Sequence, residues 1–281
     1  MRLTPLYGGG APIAFDGPID DQAEPLTRQR RRFRATLADL DDAQWRAPTR
    51  CDGWAVSDVV AHLVTVDGFW EASVRAALAG SPTEVLANFD PAAHPPLLIA
   101  PLQQLSRTEL LERYERACEG FLDALASVRG EQWNLLGESP AGHVSLRLVA
   151  QHALWDCWVH ERDVALPLDI APAAEPDEVT SCLRYAVAIG PHLVRNGSAA
   201  DRVVGTFGVV ASAPDFVITV TVGDEVIITG IAPPQGAPLL RGNAAALTDA
   251  LSVRGPLPGD APPEWHTLAR ALAAVFDAPP R

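Results

Sequence analysis

The chain has 281 residues, 48% of them hydrophobic and 20% charged, a balance that suits a folded water-soluble protein and excludes a disordered or membrane-spanning one. Its formal net charge of −13 and pI near 4.9 argue against nucleic acid or an anionic membrane as partner, because both require clustered positive charge. The length admits one or two domains, and two is the better fit.

Residues 1–20, with Gly8-Gly9-Gly10 and scattered Pro, lack periodicity and read as an extended N-terminal arm. A first helix is predicted from Pro25 to Leu40, its basic run Arg28–Arg34 forming a solvated face. A second runs from Val56 to Leu78, with Ser57 or Asp58 as its cap. Residues 80–103 hold five prolines and cannot be one helix; a loop of that length reads as a lid or binding loop. A third helix spans Arg107 to Ser127. The fourth starts at a Ser145 cap and stops at Leu166 before Pro167. Pro167–Pro176 reads as a linker into a second domain that begins with a helix over Glu178–Val194. The period then changes to two: Val203–Val210, Phe216–Val222 and Val226–Ile231 read as strands, with Gly223-Asp224 as a hairpin turn. Leu239-Leu240-Arg241 reads as a further strand, and Asn243–Val253 and Glu264–Phe276 as helices.

Two segments carry the chemistry. One is Trp45–Trp54 running into Asp58–Leu63; the other is Asp156–Asp163. Asp156 and His160 are four residues apart, so on a helix they lie about 40° apart on one face, one turn above the other. His62, on another inward-packed helix, supplies a third ligand type. Two imidazoles and one carboxylate with an open position describe a catalytic zinc site better than a closed structural one. Each residue also has a plainer reading: His62 as a core histidine, and Asp156 as the partner of a buried Arg, since a carboxylate beside Leu154, Trp155 and Trp158 is costly to bury alone. Asp163 shares the face of Asp156 and His160 and either orients an imidazole or caps the buried helix end. His152 is one turn before Asp156; about 12 Å of helix rise from His160 rules out joint coordination, which leaves it as pocket-lining. His94, His143, His192 and His266 lack partners at ligand spacing.

The four cysteines show no CxxC or disulfide spacing, and no leader or spanning segment is evident, so a reduced cytoplasmic protein is expected. Cys157 points about 100° away from Asp156 and reads as a small buried hydrophobe. Cys51, in the loop before the second helix, is within reach of the site, but a structural role is the stronger reading. Nucleophile-elbow, Walker, GxGxxG and HExxH patterns are missing from the sequence.

The Trp45–Leu63 and Asp156–Asp163 segments resemble those of the DinB-like, mycothiol-dependent maleylpyruvate isomerase family. The resemblance implies a fold of mixed class, α followed by α/β. A DinB-like metal-binding four-helix bundle (residues 21–168) would follow the arm (1–20) and precede a smaller C-terminal α/β, SCP2-like domain (175–281). It also implies that His62, Asp156 and His160 bind a divalent metal, usually zinc. Asp156 stands where the family has Glu, one methylene longer. Leu251–Leu257 resembles a family segment that brings an Arg, here Arg254, into the active site, where it would bind a substrate carboxylate or a developing enolate. The alternative for Arg254 is pairing with Asp249 or Asp260. The implied activity is a metal-dependent transferase or isomerase that turns mycothiol against a small electrophilic metabolite, with His152 and Asp163 on the cosubstrate side. The chain would act as a monomer or homodimer. The alternatives are a non-catalytic binding protein with a degenerate metal site, and a metal-dependent hydrolase.

Overall fold

The computed structural model describes residues 5–9, 11–16, 22–195 and 203–275. Residues 1–4, 10 and 17–20 of the predicted arm and the last predicted helical residue, Phe276, lie outside that set. The elements run β1 (Ile13–Asp16), α1 (Ala23–Asp39), α2 (Asp42–Trp45), α3 (Val56–Leu78), α4 (His94–Ile99) and α5 (Arg107–Ala126). The hairpin β2 (Leu136–Ser139) and β3 (Gly142–Ser145) then leads into α6 (Leu146–Ala165) and α7 (Pro176–Arg195). The chain continues through β4 (Gly205–Ser212), β5 (Phe216–Val222), β6 (Val226–Thr229), β7 (Leu239–Asn243), α8 (Ala244–Leu251) and α9 (Pro263–Val275). The protein is thus a mixture of helix and sheet.

The element on which the site depends is α6. Ser145 caps it, its hydroxyl accepting from the Leu148 amide, and Pro167 follows its last turn. All its residues except Arg147, Asp156 and Arg162 are buried, the pattern of a helix covered on every side. It packs against α1 and α3 on one side and α7 on the other, while α3 packs along α5. The cap of α3 differs from the expected one: Ala55 holds the N-cap position and its amide donates to Asp58 Oδ2, so Asp58 contributes from the third position of the helix.

Helix α7 joins the helical layer to a five-stranded sheet of order β1-β6-β5-β4-β7. The β6-β5-β4 core is antiparallel, and the parallel strands β1 and β7 flank it. One apolar core runs from Leu26, Trp70 and Phe121 through Trp158 and Tyr185 to Val209, Val220 and Trp265, so the helical layer and the sheet share a continuous interior. A second core, around Phe33, Leu37, Val59 and Tyr114, fills the other end of the helices.

Several segments differ from the sequence reading, among them α2, α4 inside the 80–103 stretch and the β2–β3 hairpin, which the sequence did not predict. Ile13–Asp16 of the arm is a strand, in register with Val226–Thr229. Leu6 bridges Gly142, whose φ of +111° and close approach to the Leu6 backbone leave no room for a Cβ. The Arg28–Arg34 run is a solvated face only in part: Arg31 and Arg34 are exposed, whereas Arg28, Arg30 and Arg32 are engaged with buried acids. Arg28 and Arg32 pair with the buried Glu178, Arg32 also pairs with Glu161, and Arg30 is fully enclosed against Asp67 at 2.6 Å. The Asp67 carboxylate also accepts from the Cys118 thiol.

Removing one partner of a buried ion pair strands the other charge, which typically costs about 3–5 kcal/mol. Asp67→Ala should therefore destabilise the protein by about that amount in urea unfolding, whereas a double replacement of Arg30 and Asp67 by apolar residues should lose less. Equal loss in both variants would contradict the assignment of the cost to an unpaired Arg30.

Candidate functional site

Local sequence brings two ligand-bearing elements together. In Cys51-Asp52-Gly53-Trp54, the Trp54 amide donates to the Cys51 carbonyl, and Gly53 takes the positive φ of +78° that such a turn requires. This returns the chain toward α3, and the Trp54 indole meets the His62 imidazole edge to face at 5.3 Å. On α6, Asp156 and His160 stand one turn apart, with His160 Nε2 3.8 Å from Asp156 Oδ1. The His62 and His160 rings are 5.0 Å apart at 78°, and one donor atom from each of His62, Asp156 and His160 falls within 4.8 Å of the other two.

The electrostatics of this trio are those of a site short of positive charge. Burial raises the Asp156 carboxyl, and its Oδ2 is buried with no hydrogen-bond partner among the described residues. Orphaned carboxylate oxygens are costly, and two imidazole nitrogens converging beside one form a donor set suited to a divalent cation. Burial lowers the His62 pKa, and the neighbouring His160 and Arg254 charges lower it further. Burial acts the same way on His160, but Cys51, the hydrogen bond to Asp163 and the Asp156 charge outweigh it and push the pKa up to about 10.

Asp163 lies behind His160, fully enclosed, and does not face the trio. Its Oδ2 is 3.1 Å from His160 Nδ1, which directs Nε2 toward Asp156. The same carboxylate accepts from Arg254 Nε at 2.9 and 3.0 Å, from Arg50 Nε at 2.9 Å and from the Cys51 thiol at 3.1 Å. Arg50 and Arg162 share Asp249 of α8. Cys51, His160 and Asp163 also lie at ligand separations, but every oxygen of Asp163 is already engaged, so this second cluster does not present the vacant donor that Asp156 does.

Arg254 comes from the other side of the shared core, and its aim has a local cause. Val253 adopts φ +61° at the end of α8; its amide donates to Ala250 and the Arg254 amide to Asp249, the paired bonds of a Schellman cap in which glycine is usual. A β-branched residue in that region is strained, and here it turns Arg254 toward Asp163. Arg254 thus pairs with neither of the two acids expected from sequence, Asp249 or Asp260, through its side chain. His152 lies one turn before Asp156, its ring against Trp70, Trp155 and Tyr185.

Sequence reasoning did not single out Arg50, Tyr185 or Ser252, whose hydroxyl receives the Trp155 indole N–H at 2.8 Å. Arg50 sits inside the first marked segment, but no spacing rule ties it to an acid 113 positions away. The remaining histidines behave as expected of isolated ones: His143 bonds the Thr83 carbonyl and His94 the Asp90 amide. Cys157 is buried beside Tyr114, and its thiol pKa is pushed up to about 12 by burial. Each of the four cysteines is a free thiol, and no helix among the described residues is long and apolar enough to cross a membrane.

Residues 26–165 match the family model described as the mycothiol maleylpyruvate isomerase N-terminal domain. Two solved structures, of a mycothiol-dependent maleylpyruvate isomerase and of a variant with one histidine replaced by alanine, share the fold at a TM-score of 0.59 and 16% identity. Each alignment covers 85% of this chain and 91% of the other. No curated protein matches the chain by sequence.

Burial opposes ionisation of Asp163, but the hydrogen bond from His160 and the charge of Arg254 prevail and hold its carboxyl well below the usual range. A carboxyl depressed in the folded state adds stability above its unfolded pKa of about 3.9 and loses it as pH falls further. Thermal unfolding of the wild type should therefore weaken progressively below about pH 4, and Asp163→Asn should be less stable at pH 7 with a flatter acid limb. An unchanged acid limb in the variant would remove Asp163 from this role.

Proposed function

We propose that this chain, which belongs to the mycothiol-dependent maleylpyruvate isomerase family, is a metal-dependent enzyme that uses a low-molecular-weight thiol of the mycothiol type against a small electrophile. In this reading residues 21–168 form the DinB-like four-helix bundle that carries the metal, and residues 175–281 the smaller SCP2-like α/β domain that closes the site. His62, Asp156 and His160 would hold a divalent ion, best matched by zinc on its donor set. The observation that carries the reading is the Asp156 carboxyl, whose Oδ2 is buried without a hydrogen-bond partner among the described residues, at ligand separation from two imidazoles. The shorter Asp side chain reaches the trio because the two helices lie close enough for all three donor atoms to fall within 4.8 Å.

A divalent cation held there favours the thiolate form of a bound thiol, the form that attacks electrophiles. The residues of this chain set up that chemistry. Asp163 fixes the tautomer of His160 by accepting from Nδ1, and Arg254, tied to Asp163, keeps a positive charge beside the site for a substrate carboxylate or developing enolate. Isomerisation follows when the thiol adds to an activated double bond and leaves again; S-transfer follows when it displaces a leaving group. Isomerisation of maleylpyruvate is the first reaction to assay.

The raised pKa of His160 gives a direct test. At pH 7 the metal-free imidazole is protonated, so coordination through Nε2 must expel that proton. Zinc titrations in buffers of different ionisation enthalpy should show proton release at pH 7, with affinity rising as pH increases toward about 10. His160→Ala should abolish stoichiometric zinc while keeping the helical circular dichroism. Wild-type protein that binds no zinc, or turnover that needs no thiol, would overturn the reading.

A further inference from the structure

The N-terminal arm is fastened to two different parts of the fold. Leu6 pairs with the turn of the β2–β3 hairpin, its amide donating to the Ala141 carbonyl at 3.1 Å and its carbonyl accepting from the His143 amide at 3.0 Å. Ile13–Asp16 then joins the edge of the sheet beside β6. Tyr7, the residue after Leu6, reaches two side chains of the hairpin. Its hydroxyl donates to Glu138 Oε1 at 2.7 Å, and its ring meets that of His143 edge to face at 4.8 Å. Glu138 and His143 stand directly opposite each other in the hairpin register.

Those same two residues hold the start of the 80–103 segment. Glu138 is fully buried, and its carboxylate accepts from the Leu86 amide at 2.7 Å through Oε1 and from the Val85 amide at 3.0 Å through Oε2. His143 Nε2 lies 2.9 Å from the Thr83 carbonyl, which can only accept, so the imidazole donates. The three donors to Glu138 are neutral, and each carries a large share of the cost of keeping that carboxylate out of water. Burial and the Glu138 carboxylate push the Tyr7 phenol well above its ordinary pKa, which keeps its proton in place. Tyr7 thus touches both holders of the segment at once.

The segment runs along the face of α3 that carries His62. The Glu138 carbonyl accepts from Ser73 Oγ of α3 at 2.9 Å. Ser73 follows His62 by about three turns, and at roughly 100° per residue the two lie about 20° apart on one face. At the far end of the segment, Gln103 Nε2 donates to Asp58 Oδ1 at 2.8 Å, and Asp58 is one turn before His62, about 40° round the helix. Between these points α4 packs on α3, and Ile99 enters the core with Val59 and Leu63. The two fastenings therefore bracket His62.

We infer that the arm is a strap and Tyr7 its catch: while Tyr7 engages Glu138 and His143, the 80–103 segment stays down along the His62 face of α3, and release of Tyr7 lets its Thr83–Leu86 end lift. Lifting frees the Val85 and Leu86 amides and widens the approach to His62. The second consequence rests on the reading of His62 as a metal ligand, whereas the first does not. The arm precedes residues 26–165, the part matched by the family model, so the strap lies outside that domain.

Tyr7→Phe keeps the ring beside His143 and removes only the hydroxyl. Amide hydrogen exchange in this variant should be about 10-fold faster at Val85 and Leu86, the effect on a local opening of one lost hydrogen bond to a charged group, with the amides of α5 and α6 unchanged. Zinc-loaded Tyr7→Phe should also release its metal to EDTA about 10-fold faster than the wild type, at unchanged zinc affinity. Glu138→Gln, which weakens the hold on both the arm and the segment, should move both rates in the same direction. Wild-type exchange at Val85 and Leu86 in Tyr7→Phe, or equal acceleration throughout α5 and α6, would overturn the inference. Faster amide exchange with an unchanged rate of zinc release would overturn it too. A wild-type protein that binds no zinc would overturn the metal reading alone, because amide exchange decides the strap without it.

Discussion

A buried carboxylate that must serve several cations at once holds this site together. Asp163 is enclosed at the end of α6, and it accepts from Arg254, Arg50, the His160 imidazole and the Cys51 thiol. These donors come from the loop before α3, from α6 itself and from the turn after α8, so one carboxylate ties three parts of the chain to the back of the His160 ring. Deep ion pairs of this kind contribute little net stability relative to apolar packing, but breaking them is expensive, and the expense pins geometry. What that geometry leaves on the front of the ring is a second carboxylate, Asp156, whose Oδ2 has no hydrogen-bond partner among the described residues.

The contrast between these two acids is the chemical content of the site. They sit seven residues apart on one helix, close to two full turns, yet their environments drive them in opposite directions. Asp163 is saturated with donors and held ionised; Asp156 faces a neutral His62 and is raised by burial. A site built in this way has its charge missing at one defined place. The strained Val253 belongs to the same economy: its left-handed backbone is spent on turning Arg254 inward.

Much of the helical layer was legible because its signals are local. The Ser145 cap, Pro167 and the apolar run between them bound α6 to within a residue, and the change to a period of two marked β5 over the same span, Phe216–Val222. The spacing of Asp156 and His160 was legible for the same reason: a helix converts four residues into one face. The short hairpin β2–β3 gave no such signal, since Leu136–Ser139 and Gly142–Ser145 are four residues each and carry Gly, Glu and His inside them. The pairing of β1 with β6 joins residues more than 200 positions apart. The basic run on α1 misled because charge alone does not reveal that Asp67, Glu161 and Glu178 wait behind it. Arg254 was marked by resemblance, but its partner Asp163 lies 91 positions away on another element, and only the fold brings them together.

The claim on which the account turns is that the His62–Asp156–His160 trio, once it holds zinc, binds a thiol as its thiolate. Isothermal titration of mycothiol into zinc-loaded protein, into metal-free protein and into Asp156→Ala measures this directly. Binding to the zinc-loaded protein with release of a proton, lost in the other two samples, is the expected result. Equal binding in all three, or binding without proton release, would contradict it.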